Sequence, residues 1–345
     1  MKAVPLVLLA SFLVPLWTGR AQQREPGKDA LRQASSPVPS KIAEAFRVSA
    51  RMAELYKQGK YREALPLAEE ALRLAEEATG PNDERLALFL SNLGTVRYEL
   101  KEYDRAEKLL LRALAICDAS GRGCPERMAN IYHTLGLIYF ARRDGKRSET
   151  YFRRALEARE VIDGPDSPAT AQAAFTLGEF YDRGMVNYAK AEPLYGRAAS
   201  IWEKDAIKNN DRLITALERQ RCLLILQNKE EAAKEIKRKL DTIEMLADPS
   251  HAQDAMGRIS KGKAKAIPAP VYPPSAKQQR IEGKVIIKVL VDEQGRVSKA
   301  EVLCGHPALA EAALEAAKLA VFEPTFIGGR PVEVSGWLEY NFTLR

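Results

Sequence analysis

The sequence predicts a mainly α protein: a solenoid of helix pairs followed by a small α+β domain of strand, strand, helix, strand order. Two observations predict it, a self-similarity of fixed period through the middle of the chain and a late change from helical to strand periodicity. Leu93-Gly94 recurs as Leu135-Gly136 and as Leu177-Gly178, each a step of 42 residues. Ala64 steps to Ala106, Ala71 to Ala113 and Ala155, and Tyr61 to Tyr103, all by the same 42. From Ala155 to Ala198 the step is 43. Gly178 is still in register and Ala198 is not, so the extra residue is placed in the turn around Gly184 to Asn187.

At the N-terminus, Lys2 precedes an apolar run from Ala3 to Trp17, and the small residues Gly19 and Ala21 follow. This is the pattern of a secretory signal cleaved after Ala21. The run is shorter than the roughly 20 apolar residues a bilayer-spanning helix needs, and Pro5 and Pro15 interrupt it. A retained anchor facing the periplasm is the alternative, and contact with a membrane is expected only in that case. No cysteine follows the run to carry a lipid. Residues 22–40, with Pro26, Pro37 and Pro39, read as a disordered linker.

Residues 41–246 carry the repeat. Each unit reads as two helices, because apolar residues recur at intervals of three and four on both sides of a short polar turn. Leu90, Leu93 and Val96 mark one helix, and Ala106, Leu110 and Ala113 its partner. Gly94 and Ala106 are small enough for close approach, and Leu90 and Leu110 fill the space between units. Gly80-Pro81 and Gly164-Pro165 end helices, and Asn82, Asp83 or Ser167 can cap the next. These residues resemble the tetratricopeptide repeat in the longer form found in kinesin light chains. Second helices are expected at roughly 61–78, 103–119, 146–163 and 188–204, with a degenerate capping pair at about 211–246. The first unit departs from the pattern, with Met52 where glycine is expected.

The resemblance implies a superhelix whose first helices line a groove for an extended peptide or a partner helix. By register the groove takes Asn92, Thr95, Tyr98, His133, Thr134, Phe140, Phe175, Thr176 and Glu179. The family often uses Asn at the position of Asn92 to hold a peptide backbone, but Thr134 and Thr176 stand at the next two equivalents. His133 and Phe175 also read as ordinary packing residues.

From 247 to 270, Pro, Ala, Gly and Lys accumulate as in a flexible linker. Lys284 to Asp292 then alternates Val and Ile, Asp292-Glu293-Gln294-Gly295 forms a turn, and Val297 to Leu303 continues as a hairpin. Pro307 opens an Ala-rich helix to about Phe322, and a last strand follows Gly328-Gly329-Arg330. In it Val332, Val334, Leu338, Tyr340, Phe342 and Leu344 share one face. Tyr272-Pro273, Gly283-Lys284-Val285, Asp292 with Gly295-Arg296-Val297, Phe322 with Pro324, Gly329 and Phe342 together resemble the TonB C-terminal domain over residues 271–345. Ala320 stands where that family usually has an aromatic, and Cys304 where many relatives have Ser. The resemblance implies strand addition of an extended segment, as of an outer-membrane transporter, to the final strand. Val334, Ser335, Trp337, Glu339 and Asn341 form that expected edge, although Trp337 could instead pack against the short helix or the linker.

The net charge of +7 is scattered along the chain, and an exported protein does not meet nucleic acid. His133, His251 and His306 lie in unrelated contexts, and there is no phosphate-cradling Gly-rich loop with Lys and no Gly-x-Ser-x-Gly elbow. No catalytic residue, metal site or cofactor is therefore expected. Of Cys117, Cys124, Cys222 and Cys304, the first two flank a short Gly-containing turn. A local bridge between them and a pair of thiols are both open readings. The expected function is an exported periplasmic scaffold for protein–protein interaction, with a TonB-like transducer anchored at its N-terminus as the alternative. Oligomeric state is not legible.

Overall fold

A computed structural model of the chain describes residues 40–119, 124–247, 263–327 and 329–344. The expected signal segment 1–21, residues 22–39 and most of the expected second linker lie outside them. The fold divides into two compact units, Met1–Ala158 and Arg159–Arg345.

The described part of the first unit is built of helix pairs. Helices α1 (Ser40–Lys57) and α2 (Tyr61–Ala78) form one pair, and α3 (Leu86–Glu99) and α4 (Tyr103–Ala119) the next. Helices α5 (Pro125–Ala141) and α6 (Gly145–Asp163) follow, the boundary between units falling within α6. The second helices start within a residue of their expected positions. The small residue of each pair does what its size suggests. A methyl group on Gly94 would lie 2.8 Å from Leu110 Cγ, and one on Gly136 2.7 Å from the Phe152 ring. Ser148, the counterpart of Ala64 and Ala106, is fully buried and donates its hydroxyl to the Gly136 carbonyl at 2.9 Å. The first pair reverses the sizes: Met52 stands at the glycine position and Ala68 at that of Leu110, and both are buried in one core.

The turn inside each pair has a fixed conformation. Gly59, Lys101, Arg143, Val186 and Asn228 all have positive φ, between 51° and 72°. They are spaced 42, 42, 43 and 42 residues apart. Around Lys101 the amide of Glu102 donates to the Arg97 carbonyl at 2.9 Å and that of Lys101 to the Tyr98 carbonyl at 2.8 Å. This pattern closes a helix through one left-handed residue, satisfying carbonyls the helix end would otherwise leave open.

The second unit begins with α7 (Pro168–Glu179), capped by the Ser167 hydroxyl, which accepts from the Thr170 amide at 3.1 Å. A π-helical turn, Phe180–Gly184, leads to α8 (Tyr188–Glu203). The residue that lengthens this repeat is taken up there, slightly earlier than the sequence suggests, because a wider turn is the usual way for a helix to hold one extra residue. The last pair is α9 (Ala206–Leu226) and α10 (Glu230–Ala247).

The C-terminal part has β1 (Ala264–Ala266), α11 (Pro274–Gln278), β2 (Gly283–Val291), β3 (Val297–Gly305) and α12 (Pro307–Lys318). Short strands β4 (Val321–Phe322), β5 (Thr325–Ile327) and β6 (Arg330–Val332) precede β7 (Val334–Phe342). The main sheet is antiparallel in the order β3-β2-β7, with β1–β4 and β5–β6 as two small ribbons. Val285, Ile287, Val289, Leu338, Tyr340 and Phe342 meet Leu309, Ala313 and Ala317 of α12 in one core. Ala320 is buried there, and Tyr272 packs edge-on against Phe342 with ring centroids 5.4 Å apart.

Three boundaries differ from expectation. Helix α12 stops at Lys318 because Val321 and Phe322 pair with β1, and the Phe322 amide donates to the Gly295 carbonyl at 2.7 Å. Residues Ala264–Ala266, expected as linker, form that partner strand. The final strand is two, since β6 pairs with β5 and β7 with β2. Gly295 has φ +81°, and a methyl group on it would meet the Phe322 carbonyl oxygen at 2.1 Å, so this turn admits only glycine.

Candidate partner-binding surfaces

In the first unit, the expected groove residues Asn92, Thr95 and Tyr98 lie on α3 and are half-buried. The Asn92 amide nitrogen donates to Ser49 Oγ on α1 at 3.1 Å, and Thr95 Oγ donates back to the Ser91 carbonyl at 2.9 Å. Tyr98 packs obliquely on Tyr103, ring centroids 5.9 Å apart, and burial raises its phenol above the ordinary tyrosine range. On α5, His133 and Phe140 are half-buried, and His133 meets the edge of Phe152 at 5.9 Å. Thr134 is buried and donates to the Asn130 carbonyl at 3.1 Å. Asn92, Thr95, Tyr98, His133 and Phe140 thus stay half-buried on the first helices, whereas Thr134 is a packing residue.

In the second unit, Phe175 is buried between Tyr195 and Trp202, at centroid distances of 5.1 and 5.7 Å. Thr176 is buried with its hydroxyl on the Gln172 carbonyl at 3.1 Å. Both therefore serve packing. Glu179 belongs to a charged cluster under the π-helical turn, with Asp182, Arg183, Tyr195 and Arg219. Tyr195 donates to Asp182 Oδ2 at 3.2 Å. Burial lifts both carboxyls above their usual range, against the lowering field of Arg183 and Arg219.

The expected strand edge is more divided. Strand β7 lies at one end of the sheet and pairs only with β2, so among the described residues its other side has no strand. Ser335, Glu339 and Asn341 are exposed, and Val334 packs against the core. Glu339 is tied to Lys284 at 2.9 Å. Trp337 faces away from the core, but α9 covers it, with the Arg221 guanidinium 3.8 Å from its ring centroid.

That contact is one of four between α9 and the second face of the sheet. Glu218 and Lys288 form an ion pair at 2.5 Å, and Glu218 is buried. Arg219 donates to the Leu303 carbonyl. Cys222 and Cys304 are joined in a disulfide. Ile286, which points to this face, is 1% exposed. Apart from Trp337, none of these partners is among the site residues expected from sequence, yet one signal was present: Val285-Ile286-Ile287-Lys288-Val289-Leu290-Val291 is nearly continuous in apolar residues, as in a strand covered on both faces.

The bridge considered between Cys117 and Cys124 is not formed, and the disulfide joins the other two cysteines. Cys117 lies fully buried in the last turns of α4 and Cys124 precedes α5, with their side chains hydrogen-bonded. Burial, then the neighbouring Cys124, pushes the Cys117 thiol well above its ordinary range, which suppresses the thiolate that disulfide exchange requires. Among the described residues no group of three or more His, Cys, Asp or Glu side chains could hold a metal ion. Nor is any described helix long and apolar enough to cross a membrane.

Helix pairs closed by a repeated left-handed turn, followed by a small sheet domain, define a solenoid of protein-interaction repeats with an added α+β module. Two family models match the chain, Tetratricopeptide repeat over residues 44–119 and 127–204, and Gram-negative bacterial TonB protein C-terminal over residues 268–344. The chain thus carries tetratricopeptide repeats within residues 44–204 and a TonB C-terminal domain over residues 268–344. Both families are interaction domains, and the second is associated with the Gram-negative envelope. Among solved structures, the kinesin-light-chain TPR-like repeats of Podosopora anserina are 14% identical, with a TM-score of 0.50, over 60% of this chain and 98% of that one. BtubC (BKLC) from P. vanneervenii is 21% identical, with a TM-score of 0.49, over 62% of this chain and 93% of that one. No curated protein matches the chain in sequence.

Proposed function

We propose that this protein is an exported periplasmic scaffold that binds extended protein segments, through the first helices of residues 41–246 and by strand addition to β7 in residues 271–345. The observation that carries the reading is the side of β7 left without a strand among the described residues, in a domain of the TonB C-terminal family. A strand edge of this kind binds through main-chain hydrogen bonds, and neighbouring side chains choose the partner. Ser335, Glu339 and Asn341 are the exposed candidates for that choice. Asn92, Tyr98 and Phe140 are the candidates on the helices. The compartment is inferred from the sequence of residues 1–21 and from the envelope association of the second family.

The reading is tested by fractionation with N-terminal sequencing of the mature protein, then by capture of periplasmic partners with Asn341→Pro and Asn92→Ala/Tyr98→Ala variants. A start at Gln22 in the soluble periplasmic fraction, with a partner lost from either variant, is the expected result. Met1 retained in an inner-membrane fraction would favour a TonB-like transducer. A captured set unchanged by both variants overturns the site assignment.

A further inference from the structure

We propose that the second face of the C-terminal sheet is a docking surface for the chain's own last repeat pair, and that oxidation of Cys222 with Cys304 locks it there. In the oxidised chain the domain is then presented in a fixed orientation, with the open side of β7 still available to a partner. In the reduced chain the sheet can leave α9 and expose Ile286, Lys288 and Trp337. The inference rests on the proposed export for its oxidising compartment, since cytosolic thiols stay reduced.

Four observations converge on it. The disulfide links residues 82 apart in sequence, one from the repeats and one from the sheet. The other three contacts are chemically distinct, an ion pair, a charge-assisted hydrogen bond and a guanidinium stacked on an indole, and all come from two successive turns of α9. Each side chain has its reach used: Lys288 and Trp337 are register partners on adjacent strands, so Glu218 and Arg221 meet neighbouring points of one face. Ile286 and Cys304 are also register partners, and Cys222 is fully buried over them. A face meant for water would not carry a buried isoleucine beside a buried cystine.

Closing the lock joins the two Sγ atoms with loss of two protons and two electrons, which a thiol oxidase of the disulfide class accepts as it becomes a dithiol. Opening runs the same exchange with a dithiol reductant, which leaves as a disulfide while Cys222 and Cys304 become thiols. Both sulfurs are buried while the face is covered, so a reductant must wait for the sheet to separate locally from α9.

The test uses the full mature chain from an oxidising compartment. Peptide mapping without reduction should recover Cys222 linked to Cys304, with Cys117 and Cys124 as thiols. Hydrogen exchange is then compared for the oxidised chain, the reduced chain and the Cys222→Ser/Cys304→Ser variant. Opening should raise exchange in residues 217–223 of α9, which loses the cover of the sheet, by at least ~10-fold, as expected for releasing a cross-link of this span. Residues 285–291 and 307–318 should stay protected. Recovery of Cys222 or Cys304 as a thiol from the oxidised chain overturns the lock. Unchanged exchange after opening overturns it too, because the other contacts then suffice. Loss of protection in 285–291 as well would make the cystine an internal staple of one folding unit, which also sinks the proposal. None of these readouts involves a partner, so the lock can fail while strand addition stands, and the reverse.

Discussion

The pairs α3–α4 and α9–α10 close through the same left-handed turn, at Lys101 and at Asn228, yet their first helices are used differently. Helix α3 lies against α4 through Gly94, where even one methyl group would meet Leu110. Helix α9 keeps its buried Leu213, Leu217 and Leu224 for the repeats and gives Glu218, Arg219, Arg221 and Cys222 to a sheet. The difference teaches that a terminal repeat can divide the task, α10 keeping an exposed charged face while α9 is covered. The outer surface of the first helix can be finished by a second domain, with the polar groups of the helix spent on directed contacts.

The sharpest way to break this comparison is Ile286→Ala. If the second sheet face is interior, the substitution should cost about 2–5 kcal/mol in denaturant unfolding, like any buried isoleucine. A cost no larger than that of Leu290→Ala, which is only half-buried on the same face, would mean that α9 does not seal it. Next in size is Gly136→Ala in the regular repeats. Phe152 must give way, at about 1–3 kcal/mol, whereas Gly80→Ala, with nothing within 4 Å, should be nearly silent.

Val186→Gly should stabilise by about 1 kcal/mol in the same measurement, since a β-branched residue is held at φ +51° there. Unchanged stability would imply that the turn relaxes in solution. The smallest effect concerns Glu179. Burial raises its folded pKa, so its ionised form disfavours the native state. Stability from this group is fully present below the unfolded value near 4.5 and is lost as pH rises through the raised one. Glu179→Gln should therefore stabilise the protein at neutral pH, and the gain should vanish at low pH. A gain at both ends of the range would show that the side chain acts by packing rather than charge.

Helix positions were legible because the period is a backbone property. Leu93-Gly94 and its echoes located α3, α5 and α7, and the second helices followed to within a residue. Chain positions with local causes were also readable, such as Pro307 opening α12 and Asp292 accepting the amides of Gln294 and Arg296 at 2.9 and 2.8 Å. The site was less legible. Register places Thr134, Phe175 and Thr176 on a first-helix face, but it cannot tell a groove from the seam between helices, and those three fall in the seam. The cysteines show the same limit. Nearness in sequence favoured Cys117 with Cys124, while Cys222 and Cys304 meet only through the fold. Cys304 standing where many relatives have Ser, together with the nearly continuous apolar run of β2, was the available hint.

One extra residue in an α-helix turns everything downstream by about 100°, enough to aim a buried stripe at solvent. The wide turn at Phe180–Gly184 cancels that phase error before α8 starts, and Ala191, Tyr195 and Ala198 still arrive fully buried. The repeat therefore tolerates a change of length by confining it to one loop of backbone, so copies of this unit can drift in size while their faces remain interchangeable.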